Sequence, residues 1–180
     1  MRMVTIDGPS GSGKSLFARR LASALSTRGS VSLVEIEALY EGWTLDGAWQ
    51  RLLDWVLEPV ATGWGGGFHP YDWDTRSWSP GWYPVPVADV LVVEGCGSCP
   101  LAAEGFVSYQ VWIEASPEVA LARGLARPGV DLDRHLRAWQ QLEARHFAEQ
   151  GTRRRADLLV DGDPPRPLTF DPELALSTLS

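Results

Sequence analysis

The octet Gly8-Pro9-Ser10-Gly11-Ser12-Gly13-Lys14-Ser15 constrains this chain more than any other stretch. It satisfies G-x-x-x-x-G-K-[ST] in full. An apolar, β-branched run (Met3 to Ile6) precedes it, and residues at helical spacing (Leu16, Phe17, Leu21, Leu25) follow it as far as Gly29. In a strand, Gly-rich loop, helix unit the glycines let consecutive backbone N–H groups turn inward. The helix aims its positive N-terminal dipole at the same point, so the unit is a cradle for a phosphate-bearing anion. Lys14 is the only lysine among the 180 residues, every other basic side chain apart from histidine being arginine. A compact ammonium fits between phosphate oxygens where a planar guanidinium does not.

Around that unit the pattern alternates. Strands are expected at Met3 to Ile6, Val31 to Ile36, Val87 to Val93, Val107 to Ile113 and Asp157 to Val160. Helices are expected from Lys14, from Asp46 (with Trp49, Leu52, Leu53, Val56 and Val60 on one stripe), at Pro117 to Arg127 and at Leu132 to Gln150. The expectation is an α/β domain with the P-loop NTPase fold, a five-stranded, doubly wound parallel sheet with helices on both faces. The domain covers 1–162. Within it, Gly63 to Pro86 is dense in Gly, Pro and aromatics and reads as an irregular insertion long enough to be functional. A Pro-rich tail, 163–180, is expected to pack loosely.

Composition narrows the partners. A formal charge of −7 argues against nucleic acid or an anionic membrane surface and for small-molecule chemistry. No apolar run approaches the roughly 20 residues of a membrane span. Met1 to Asp7 runs straight into the motif with no room for a leader, so a cytoplasmic location is expected. Cys96-x-x-Cys99 lacks a second Cys pair, and His69, His135 and His146 are not spaced as metal partners, so the two cysteines read as structural. The oligomeric state is left open, a homodimer being compatible with the sequence.

With Ile6 and Asp7 in front of it, the octet resembles the opening strand and loop of P-loop kinases of the uridine kinase and phosphoribulokinase-like group. Val92-Val93-Glu94-Gly95 is similar to that group's second acidic strand end. Tyr71-Asp72-Trp73 is similar to its substrate-side stretch, and Arg123 with Arg127 to the arginines of its lid, here 117–135. The resemblance implies an ATP-dependent small-molecule kinase with ATP and Mg²⁺ as cofactors and a hydroxyl compound, first of all a nucleoside, as acceptor. Gly8, Ser10, Gly11, Ser12, Gly13, Lys14, Ser15 and Leu16 would hold the nucleotide, Ser15 and Glu94 the metal, and Lys14, Arg123 and Arg127 the transferring group. Arg134 and Arg137 are weaker auxiliaries, and one of Arg153, Arg154 and Arg155 is a candidate to flank the adenine.

On the acceptor side the resemblance places an aspartate just after the second strand, with a tyrosine three residues on. Here Glu37 and Tyr40 stand in those places. Glutamate reaches about one methylene further, a difference that matters in an in-line transfer. Glu35, expected on the same face and deeper in the sheet, is the competing base, and Asp72 the next. Tyr71, Asp72, Trp73 and Arg76, with His69 and Asp74, would line the acceptor pocket. A kinase of a specialised metabolite or antibiotic would use the same machinery. From another class, an ATP-binding switch would share the loop without transfer. A classical guanine reader of the Asn-Lys-x-Asp type is excluded because Lys14 is the only lysine.

Overall fold

The computed structural model describes residues 1–126 and 132–164, side chains of 132–134 excepted. In chain order the elements are β1 (Arg2–Asp7), α1 (Lys14–Leu25), β2 (Val31–Glu35), α2 (Ala48–Leu52), α3 (Glu58–Ala61) and four short strands, β3 (Gly66–Phe68), β4 (Tyr71–Asp72), β5 (Ser77–Trp78) and β6 (Tyr83–Val85). Then come β7 (Val90–Glu94), β8 (Tyr109–Glu114), α4 (Pro117–Leu125), α5 (Leu132–Gln150), α6 (Thr152–Arg155) and β9 (Leu158–Asp161).

The main sheet has the order β2-β7-β1-β8-β9, and every pairing in it is parallel. The five expected strands are therefore its five strands, each within a few residues of its expected bounds. Because β1 lies between β7 and β8, the loop after β1 opens at the carboxyl ends of the central strands. That is the place where open α/β sheets hold ligands.

Both faces of the sheet are covered, as alternation along each strand requires. Met3 of β1 and Leu91 and Val93 of β7 pack with Leu52, Val56, Val60 and Trp139 on one face. Val4 and Ile6 of β1 and Val92 of β7 pack with Ala18 and Leu21 of α1 on the other. Ile6, Val92, Val34, Leu52 and Val56 have no exposed surface, and each such side chain stabilises the fold by about 1.5–3 kcal/mol.

Two expectations need correction. The helix anticipated from Asp46 starts at Ala48, and a π-helical turn, Leu53–Leu57, joins α2 to α3. The stretch 63–86 is not irregular. Its outer ribbon pairs β3 with β6 and its inner ribbon pairs β4 with β5, both antiparallel. The ribbons are too short and too broken by Gly and Pro to show a period of two in the sequence, so the pairing was hidden. Among the described residues no helix is long and apolar enough to cross a membrane.

Candidate active site

The phosphate loop takes its shape from three left-handed glycines, Gly8 (φ 145°), Gly11 (φ 83°) and Gly13 (φ 99°). Space compels two of them as well. A Cβ on Gly8 would lie 2.1 Å from the Ile113 carbonyl oxygen, and one on Gly11 would lie 2.3 Å from that of Ala120. A Cβ on Gly13 would meet nothing within 4 Å. The loop is therefore pressed against β8 and α4 behind and open in front. The Lys14 ammonium reaches back to the Pro9 carbonyl at 2.8 Å, and the Ser12 hydroxyl is buried with no partner among the described residues. The first N–H groups of α1, those of Lys14, Ser15 and Leu16, have no acceptor one turn earlier within the helix. An inward row of donors, an ammonium and an orphaned buried hydroxyl form a donor set that fits a polyphosphate.

Glu94 ends β7 level with Ile6 of β1 and Glu35 of β2. Glu94 is 4 % exposed, and its carboxylate stands beside the Ser15 hydroxyl. Burial raises its pKa, the neighbouring Ser15 hydroxyl and Lys14 lower it, and Glu35 and Glu37 push it up again. One hydroxyl and one carboxylate beside a phosphate cradle suit Mg²⁺, which takes one or two carboxylates and completes its shell with phosphate oxygens and water. Among the described residues, no three His, Cys, Asp or Glu side chains gather as a metal site built by protein alone.

Asp7, at the end of β1, organises the floor. Wholly buried, it accepts N–H bonds from Gly8 and Gly97 on one oxygen (2.8 and 2.9 Å) and from Cys99 on the other (3.0 Å). Desolvation nevertheless raises its pKa to about 6, against the pull of these bonds and of Lys14. It clamps the loop after β7 onto the end of β1. Cys96 and Cys99 in that loop are free, buried thiols, their pKa values raised first of all by burial, as a structural role requires.

The side on which an acceptor is expected is built from the turn after β2, the hairpin and α5. Glu37 is exposed on the 3₁₀ turn Ile36–Leu39, close enough to raise the pKa values of both Glu94 and Tyr40. Glu35 is not deeper on the same face. The turn breaks the strand alternation at Ile36, and Glu35 is half-exposed and paired with Arg19 at 3.2 Å. Tyr40 is 3 % exposed, donates its hydroxyl to the Cys96 carbonyl and packs on Trp139, so its polar end is occupied. Tyr71 and Trp73 meet edge to face, and Trp43 touches Trp73 and Trp139 while lying flat on His135. Asp72 turns away to accept the N–H groups of Asp74 and Thr75, and Arg76 sits exposed at φ 53° in the same hairpin turn. These two side chains shape the hairpin tip rather than a wall of aromatic rings.

Arg123 also departs from expectation. Ser116 caps α4 and Pro117 begins it, which fixes the helix against the loop. The guanidinium donates to the carbonyls of Gly11 (3.3 Å) and Gly162 (2.8 Å) and pairs with Asp163 (2.8 Å). It ties α4 and the end of β9 to the outside of the loop. Arg127 lies outside the described residues, as does the side chain of Arg134. Arg153 pairs with Glu114 through both nitrogens (2.6 and 3.1 Å), and Arg155 holds the Cys99 carbonyl.

Two residues of α5 reach the loop as well, with no counterpart among the residues singled out from the sequence. Glu143, 3 % exposed, accepts the Ser10 N–H (3.1 and 3.3 Å to its two oxygens), and the Trp139 indole donates to the Ser10 hydroxyl at 2.8 Å. A charged residue one turn from a tryptophan on a buried stripe was the available signal. An open cleft of about 920 Å³ lies elsewhere, lined by Arg2, Leu25, Arg28, Asp89 and Tyr109 at the amino ends of the strands. That end of a parallel sheet carries neither the loop nor Glu94.

Solved structures share this architecture. A possible uridine kinase from Bacillus stearothermophilus superposes with a TM-score of 0.65 at 18 % identity, covering 89 % of this chain and 88 % of that one. Shikimate kinase from Bacteroides thetaiotaomicron gives 0.57 at 12 % identity over 99 % and 96 %. A sugar kinase from Janibacter sp. gives 0.53 at 15 % over 99 % and 94 %. No protein-family model matches the chain, and no curated protein sequence matches it. The fold is that of the P-loop kinases.

Proposed function

We propose that the chain is a Mg²⁺-dependent phosphotransferase that moves the γ-phosphate of ATP to a hydroxyl of a small molecule, a nucleoside first among the candidates. The observation that carries this reading is the convergence of Lys14, Ser15 and Glu94 at the carboxyl ends of β1 and β7, where Ser15 and Lys14 both act on the Glu94 carboxylate. A bound Mg²⁺ would supply charge neutralisation on the β- and γ-phosphates. Ser15 and Glu94 would hold it, and the loop N–H groups with Lys14 would fix the phosphates. Glu37 orients the acceptor hydroxyl and takes its proton. It is favoured over Glu35, which is paired with Arg19, and over Asp72, which is bound into its own turn. Trp43, Tyr71 and Trp73 present ring faces and edges to the acceptor and exclude water. Arg123 braces the loop, and Arg127 is assigned to the transferring phosphoryl group by resemblance alone.

The test is a panel of nucleosides, sugars and other hydroxyl metabolites read by ADP release, with Lys14→Ala as the blank. Acceptor-dependent release that Lys14→Ala abolishes supports the assignment. ATP hydrolysis at one rate across the whole panel overturns transfer and leaves a nucleotide-driven switch.

A further inference from the structure

We infer that the Ser10 side chain is a γ-phosphate reader, aimed by Trp139 and Glu143 of α5, so that this loop distinguishes ATP from ADP through a hydroxyl as well as through backbone and lysine. The inference rests on the nucleotide reading above, but on no acceptor. Three observations carry it. The Lys14 ammonium, the group that reaches β- and γ-phosphates in such loops, lies 2.8 Å from the Pro9 carbonyl, which places the γ end of the cradle beside Ser10. The Trp139 indole nitrogen is 2.8 Å from Ser10 Oγ, and an indole N–H only donates. The Ser10 oxygen is therefore an acceptor in that bond, and its own proton points elsewhere. No acceptor among the described residues takes that proton, and Ser10 is partly exposed. Finally, the Ser10 backbone N–H is held by the buried Glu143 carboxylate. Both polar groups of Ser10 are thus fixed from α5, leaving one directed donor for an incoming oxygen.

Trp139 and Glu143 are positioning residues, since they act through Ser10. Trp139 also packs on Tyr40 and Trp43, so the same ring that aims the hydroxyl belongs to the acceptor wall.

The experiment measures dissociation constants for ADP and for a non-hydrolysable ATP analogue by calorimetry, with Mg²⁺ present, in the wild type, Ser10→Ala, Ser10→Thr and Trp139→Phe. Ser10→Ala should lower the preference for triphosphate over diphosphate about 10-fold or more, the effect of one hydrogen bond to a charged oxygen, with ADP affinity unchanged. Ser10→Thr, which keeps the hydroxyl, should retain the preference. Trp139→Phe keeps a ring and the loop sequence but lets the hydroxyl turn back, so it should lower the same ratio with ADP affinity intact. Equal weakening of both nucleotides in Ser10→Ala, or an unchanged ratio, overturns the reader. A wild-type ratio in Trp139→Phe overturns its positioning by α5, and this arm stands even if Ser10→Ala does not fold. A wild-type protein that binds neither nucleotide refutes the underlying nucleotide reading instead.

Discussion

Replacing Asp7 with asparagine should remove a pH-dependent destabilisation of the fold. Burial raises the Asp7 pKa from 3.8 to about 6, despite three backbone N–H donors and the nearby Lys14. A carboxyl group raised in the folded state binds more protons there than in the unfolded chain between those values. Its contribution is thus favourable below about pH 4 and is lost as pH rises through about 6. The shift of about 2 units amounts to about 3 kcal/mol in full, and between pH 5 and 7.5 the same linkage leaves about 1.4 kcal/mol. For a chain of this size that is a fall in melting temperature of about 3–5 °C. Thermal denaturation of wild type and Asp7→Asn at both pH values isolates this group, because every other titration is common to the two proteins. At pH 5 the wild-type carboxyl group is mostly protonated, so it and an asparagine amide alike set a donor of their own against the three backbone N–H groups. The variant should lose less stability between pH 5 and 7.5 than the wild type does. Parallel changes in the two proteins would refute the reasoning.

Glu94→Gln should reduce acceptor-dependent turnover by about two orders of magnitude while changing the ATP dissociation constant much less, and unchanged turnover would remove Glu94 from the metal site. Gly8→Ala should destabilise the fold by about 3 kcal/mol or more, because its methyl group would meet the Ile113 carbonyl at 2.1 Å at a φ of 145°; chemical denaturation measures this. Tyr40→Phe removes one buried hydrogen bond and should lower stability by about 1 kcal/mol with KM for the acceptor unchanged. A raised KM would return Tyr40 to the substrate.

The sheet and the loop were legible in the sequence because each carries its own local signal. The strands are apolar runs between polar ends, and the loop's glycines are demanded by their φ angles and by close backbone approach. Glu94 was legible for a similar reason, being a charge that closes a continuous apolar run. Asp7 has the same position on β1 and was masked by the motif that follows it. Glu143 and Trp139 were not legible, because their partner, Ser10, lies more than 120 residues away and only the path of α5 joins them. The hairpin was hidden by short strands, and the partners that Asp72 and Arg123 take were not legible, since composition gives a side chain's chemistry and not its direction.

The π-helical turn between α2 and α3 makes the length of that connector a discrete quantity. Its Trp55 carbonyl and Val56 Cα would stand 2.7 and 2.8 Å from a Cβ on Gly66, so the hairpin is seated on the bulge itself, and Trp55 meets Trp78 across the join. Losing one residue there would convert the turn to regular helix and remove the bulge, taking the Trp55 and Val56 backbone away from Gly66 and leaving the hairpin without its seat. Variation of the acceptor wall in such a chain is therefore channelled into exchange of side chains on a frame of fixed length. Insertions and deletions are pushed outward to the hairpin tip around Arg76.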